Sequence, residues 1–247
     1  MPEAWDLVPP KEREVDEVVT FILFCEDSVN EPSYFRSLEV PGKVKINVVD
    51  GQLSSFKNII KTLRYCENEG LLEVVDNRYQ LRTGTTTHVW SVFDRDVEFE
   101  YENAIDPVES MRFSLSIQTA AEAGLNVAWS NDVFELWILL HFEDVAPGIW
   151  RHRTYIYERL TDIFKTLPDQ SDEMLAITER DSFNYKMLLK RRAFFIQYVL
   201  PLLTPRREEA ILRANTLQMA FGVHQPFHQC NPCTRVHHLV TSILSFS

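Results

Sequence analysis

Apolar and polar positions alternate with two different periods along this chain. EVVTFILFCE (17–26) is apolar and β-branched almost throughout and stops on Glu26 and Asp27, which predicts a strand buried on both faces. VKINVVD (44–50), HVWSVFDRD (88–96) and LNVAWSN (125–131) predict three more strands. Helical spacing fills the intervals. EPSYFRSL places Pro32 as the first residue of a helix, and SSFKNIIKTLRYCENEG sets Phe56, Ile59, Ile60, Leu63 and Cys66 on one stripe before closing on Gly70. DPVESMRFSLSIQTAAEAG (106–124) runs from a proline start to a glycine stop, and DVFELWILLHF (132–142) is an almost wholly apolar helix. LLEVVDNRYQLRTGTT reads as a hairpin or loop.

Strands alternating with helices imply right-handed crossovers and a parallel sheet covered on both faces. After residue 150 the pattern turns helical in RTYIYERLTDIFKTL, SFNYKMLLKRRAFFIQYVLPLL, PRREEAILRANTLQMAF and NPCTRVHHLVTSILSF, with no convincing strand between them. The expected architecture is an α/β region over residues 15–145, a parallel sheet flanked by helices, followed by a helical region over 150–247.

Composition is that of a globular protein, with 45% hydrophobic residues and no apolar run near the roughly 18 to 20 residues of a membrane helix. The N-terminus is acidic and proline-bearing, unlike a secretory signal. Four cysteines in 247 residues make no disulfide framework. A cytoplasmic protein without membrane contact is expected. Net charge is −11 but unevenly spread: residues 1–150 carry −15 and residues 151–247 carry +4, much of it in Lys186, Lys190, Arg191, Arg192, Arg206, Arg207 and Arg213. An acidic half beside a mildly basic one is compatible with a phosphodiester substrate.

In an extended strand, Asp94 and Asp96 would face the same side, and two like charges there call for a cation. Ligands collect beyond the carboxyl ends of parallel strands, where Glu26, Asp94 and the loop after Asn131 fall. Glu26, Asp94 and Asp96 together suit Mg²⁺ or Mn²⁺, hard ions that take oxygen ligands. Such an ion at a phosphodiester polarises the phosphoryl oxygen. Asp-x-Asp after a strand also occurs in haloacid dehalogenase-type phosphatases, in glycosyltransferases and by chance.

LFCEDSVNEPSYFRSL resembles the Cys-Glu-Gly-x-x-x-Glu-x-x-Tyr-Phe opening of the RloB-like proteins, and VFDRD resembles their Asp-x-Asp strand. WSNDVFELWILLHFE is similar to their Ser-Asn-Pro-x-Phe-Glu-x-Trp-Leu-Leu-x-His-Phe helix, and NPCTRVHHLV to their closing Asn-Pro-Ser-Thr segment. The resemblance covers nearly the whole chain in order. It implies a Toprim-like metal-binding sheet, and a role in anti-phage defence beside an ABC-type ATPase. The arrangement also resembles the AriB-type effectors of the PARIS system, nucleases restrained by an AriA-like ATPase and acting on tRNA. Three positions depart from the family pattern: Asp27 for Gly, Asp132 for Pro, and Cys233 for Ser. Asp132 is thereby expected to cap the following helix.

The resemblance implies Glu26 as general base or metal ligand and Asp94 and Asp96 as the metal pair. Glu135 is either a second-metal ligand or the far arm of a capping box that reaches the Asp132 N–H. Glu31 either ligates or solvates the metal. His141 reads as a packed, hydrogen-bonded core histidine. Ser130 and Asn131 either contact phosphate or cap. Arg95 points to the face opposite the acids and is expected in an internal ion pair.

The cluster His224, His228, Cys230, Cys233, His237 and His238 has zinc-like elements, but it lacks two separated ligand couples, and Asn231-Pro232 reads as a helix start. Zinc is therefore not expected. Lys190, Arg191 and Arg192 are expected to bind nucleic acid, supplied beside the metal site by a second subunit, so that the free active form is a homodimer. Aromatics in RTYIYERL and RAFFIQYVL suggest a docking surface for the ATPase or for self-association. The leading reading is a metal-dependent nuclease, on RNA or DNA. Its alternatives are a non-catalytic adaptor of the ATPase and a phosphatase or nucleotidyl transferase on the same metal site.

Overall fold

The computed structural model describes residues 18–51, 54–76, 78–82, 84–101, 105–168 and 170–247, so the acidic N-terminal stretch lies outside the described residues. In chain order the elements are β1 (Val19–Cys25), α1 (Asn30–Arg36), β2 (Val44–Val49), α2 (Ser55–Asn68), β3 (Leu72–Val75), β4 (Arg78–Leu81), β5 (Thr87–Asp94), α3 (Pro107–Glu122), β6 (Asn126–Asn131) and α4 (Glu135–Leu139). There follow α5 (Arg153–Thr166), α6 (Asp172–Thr178), α7 (Tyr185–Leu188), α8 (Arg192–Phe194), α9 (Leu200–Leu203), α10 (Arg207–Met219), β7 (Cys233–Thr234) and α11 (Val236–Leu244).

Five strands form one sheet in the order β2-β1-β5-β6-β7. The first four are parallel, and β7 is antiparallel to β6 through Ser130 opposite Thr234 and Asn131 opposite Cys233. Period-two alternation sends the two sets of side chains into different cores. Phe21, Leu23 and Cys25 of β1 pack with Trp90 and Val92 of β5 on one face. Ile22 and Phe24 pack with Val89 and Phe93 on the other. Burial on both faces is why these strands read as unbroken apolar runs. The segment after Gly70 is a hairpin, β3 pairing with β4.

The first face is covered by α4 and by the C-terminal helices, whose Leu160, Leu217, Leu239 and Ile243 belong to the same core as Leu23 and Trp90. The division at 145–150 is thus one of composition, and packing runs across it. The aromatics expected at a docking surface mostly serve that core: Phe195 and Tyr157 are buried, and Tyr155, Phe194 and Tyr198 partly so.

Three expectations need correction. A strand does follow residue 150: β7 is two residues long, too short for a periodic signal, and Asn231-Pro232 leads into it rather than into α11. The single helix expected over 182–203 is broken, with Asn184 capping α7 and a π turn over Phe195–Val199. There the Leu200 N–H reaches back five residues to Phe195 O, next to Pro201, which has no N–H to donate. The third is α6, capped by Ser171 and absent from the sequence reading.

Candidate active site

The carboxyl ends of β1 and β5 lie side by side, with Cys25 opposite Val92. Asn58 of α2 ties them together: its Nδ2 donates to Phe24 O (3.0 Å) and Val92 O (2.9 Å), and Ser91 Oγ donates to its Oδ1 (2.8 Å). Asn58 is fully buried, and Thr62 one turn on donates to its carbonyl. This pair was missed in the sequence, although two polar residues on the buried side of an amphipathic helix were the available signal.

Glu26 follows β1. Its N–H donates to Val92 O (3.1 Å), and its Oε2 accepts from the Asp94 N–H (3.1 Å). Burial pushes its carboxyl up to about 7; Asp96 and Asp27 add to the rise, while the Asp94 N–H and Arg153 oppose it. Asp94 ends β5, and its Oδ2 accepts from the Phe134 N–H at 2.7 Å. Burial, followed by the carboxylates of Glu31, Glu26 and Glu135, holds Asp94 well above the usual carboxylate range. Glu31 is buried in α1 and likewise raised, first by burial and then by Asp27 and Glu26. Its Oε2 accepts from the Asp27 N–H (3.1 Å), while its Oε1 is buried without a hydrogen-bond partner. Asp27 turns away to accept from the Val29 and Asn30 N–H groups, fixing the entry to α1.

Asp96 does not continue the alternation. The strand stops at Asp94, and Asp96 has φ +58°, a left-handed conformation that ends the extended geometry on which the same-face argument rests. Asp94 and Asp96 still line one cleft, but Asp96 pairs with Arg153 Nη1 at 2.7 Å. The same guanidinium binds Asp132 through Nε (3.1 Å) and Nη2 (2.9 Å). Asp132 is fully buried and also accepts from the N–H groups of Val97 and Arg153. It is therefore a strut between the post-β5 loop and α5, not the expected helix cap. Nothing in the local sequence marked Arg153 as its partner.

Glu135 does not form the capping box with the Asp132 N–H. It is 1% exposed, and both oxygens are engaged: Oε1 with Lys190 Nζ (2.9 Å) and Asn30 Nδ2 (3.2 Å), Oε2 with the Tyr157 hydroxyl (3.2 Å). Lys190 thus turns inward, away from its expected companions, while Arg191 and Arg192 remain exposed at the start of α8. The three basic residues do not form one phosphate-binding cluster.

The other candidates have contacts of their own. His141 Nδ1 bonds Trp137 O (2.8 Å), and burial lowers the ring to about 4. Ser130 Oγ meets Thr234 Oγ1, and Asn131 Nδ2 donates to His228 O and Cys230 O, anchoring the β7 loop. Arg95 donates to His228 O (2.6 Å) and Ser110 Oγ (2.9 Å), and it shares the lining of one cleft with Asp94. Cys230 and Cys233 are buried in the second core, and His237 and His238 both meet Gln218 Oε1.

Glu26, Asp94, Arg95 and Asp96 line a cleft of about 480 Å³ with Ser54, Ser55, Phe99, Glu109 and Arg112. Among the described residues no group of three or more His, Cys, Asp or Glu closes a metal cage by itself. A Mg²⁺ ion needs only one or two carboxylates and keeps its waters, so the all-oxygen set of Glu26 and Asp94, with Asp96 nearby, fits a hard divalent ion in its chemistry. Burial is the first cause that raises Glu26, Glu31 and Asp94, and neighbouring carboxylates add to it in each case.

Residues 21–243 match the family model of the RloB-like proteins. The chain belongs to the RloB-like family. The matched span includes Glu26, Asp94, Asp96, Glu135 and Lys190, so the acidic site of this RloB-like chain lies wholly inside the family region. No curated protein and no solved structure matches the chain. Among the described residues no helix is long and apolar enough to cross a membrane.

Proposed function

We propose that this RloB-like chain is a metal-dependent nuclease of Toprim type, a toxic effector of anti-phage defence that cleaves tRNA once a partner ABC-type ATPase releases it. The supporting observation is the hydrogen-bonded pair Glu26–Asp94 at the ends of adjacent parallel strands, on the floor of an open cleft. Mg²⁺ or Mn²⁺ bound there would supply Lewis-acid polarisation of a phosphoryl oxygen. Glu26, with its carboxyl near 7, can hold or release a proton at neutral pH, which suits a general acid–base group. Asp94 is oriented by the Phe134 N–H, leaving Oδ1 for the ion. Arg153 fixes Asp96 at the cleft wall. With Lys190 turned inward, Arg191 and Arg192 are the residues of that segment left to meet a phosphate backbone, from a second copy in a homodimeric active form.

The Arg153 pairings with Asp96 and Asp132 favour one competing reading, in which the acids are structural and the chain is a non-catalytic adaptor. Sequencing cellular RNA ends after induction, with and without the neighbouring ATPase, separates the two. New tRNA ends that depend on Glu26 and vanish with the ATPase support the nuclease; toxicity surviving Glu26→Gln supports the adaptor.

A further inference from the structure

Two acids beside the cleft differ in how their oxygens are used. Glu31 Oε1 is buried without a partner, as is Asn30 Oδ1 next to it in sequence. Glu135 has no such vacancy: Lys190, Asn30 and Tyr157 together supply three donors to its two oxygens. Lys190 is held in turn by the Tyr157 hydroxyl (3.2 Å), with its ammonium 5.6 Å from the centre of the Tyr157 ring. For Glu135, 1% exposed, to ligate a metal, its pairing with the partly exposed Lys190 ammonium would have to open, and taking the partner from a buried carboxylate is unfavourable. A second divalent ion on Glu135 would also lie against that ammonium, charge to like charge.

We infer that Lys190 occupies the place a second metal would take: its ammonium balances Glu135, so the site accepts one divalent ion, held by Asp94 beside Glu26. This rests on the metal-dependent reading of the cleft and adds the stoichiometry and the role of the segment after α7 to it. Lys190 is here a positioning residue acting through Glu135, brought in by the helical region, so the acidic centre is completed only when that region is packed against the sheet. Tyr157 sets where the ammonium sits.

Titration of the full chain with Mn²⁺, followed by calorimetry and by the loss of free-ion signal in electron paramagnetic resonance, tests this without reference to activity. One Mn²⁺ per chain is expected for the wild type. The double variant Glu135→Gln/Lys190→Met removes both members of the pair and leaves no stranded charge; it should still bind one ion with affinity within about threefold of wild type. Lys190→Met alone, with Glu135 unbalanced, should take up a second ion. Two ions on the wild type, or loss of an ion or of tenfold or more in affinity in the double variant, would overturn the inference while leaving a metal site in place. Absence of Mn²⁺ binding in every variant would overturn the metal reading itself, and this inference with it.

Discussion

Arg153 holds Asp96 at 2.7 Å through one guanidinium nitrogen and the buried Asp132 at 2.9 Å through another. The two ends of this bridge have different surroundings. The Asp96 side chain is 61% exposed and that of Asp132 fully buried, so the two halves should contribute very differently. Asp96→Asn should change stability by less than about 1 kcal/mol, as exposed pairs do. Arg153→Met leaves Asp132 buried without its cation and should cost about 3 kcal/mol. Urea unfolding of both variants checks the contrast; equal effects would show that the bridge is not divided in this way.

Asp94 and Asp96 should also separate in the metal-free protein. Asp94 is crowded by Glu31, Glu26 and Glu135, so Asp94→Asn removes repulsion while an amide oxygen can still accept from Phe134. Its melting temperature above pH 7 in chelator should rise by about 2–4 °C, which corresponds to about 1 kcal/mol for a chain of this size. Asp96→Asn loses an attractive partner and should show no such rise.

The four parallel strands were legible because each reads as a short β-branched apolar run, and β1 and β5 in particular are buried on both faces with an acid at or just past their ends. The placement of Glu26 and Asp94 side by side followed from that, since the carboxyl ends of adjacent parallel strands lie together. Asp96 was misplaced because a single residue at positive φ ends the period-two rule, and no glycine marks the spot. Lys190 was misread with Arg191 and Arg192 because a run of basic residues does not tell which of them turns inward; that depends on Glu135 and Tyr157, 55 and 33 positions away in sequence. The two-residue β7 carries no pattern of its own, and Arg153 was hidden for the same reason as Lys190, its partners being distant.

Stability should fall with pH in the absence of metal. The Glu26 carboxyl rises from an ordinary 4.5 to about 7 on folding, so between these values the folded state binds more protons than the unfolded one. The stabilising share of protonated Glu26 is complete below about 4.5 and lost as pH passes 7, at about 1.4 kcal/mol per pH unit across the window. Asp94 and Glu31 act in the same direction. Chemical unfolding in chelator from pH 5 to 8 should show the decline, Glu26→Gln should reduce it, and Mg²⁺ should reverse it at pH 8. A flat profile would mean that the acids are balanced within the protein.

All four cysteines are buried, and burial pushes the thiols of Cys66 and Cys233 up to about 11 and about 12. They should react slowly with a thiol reagent at pH 7.5 in the folded protein and fully in denaturant. Rapid labelling of Cys230 or Cys233 would show that the β7 segment opens readily.

Cleavage of purified tRNA by the isolated chain in Mg²⁺, comparing wild type with Glu26→Gln at equal thermal stability, tests the nuclease reading most directly. The account predicts cleavage that chelator abolishes and that Glu26→Gln lowers by on the order of 100- to 10,000-fold, the range removed with a general acid–base group. Equal cleavage by both proteins, or none by wild type that binds Mn²⁺ and is free of other proteins, would contradict it.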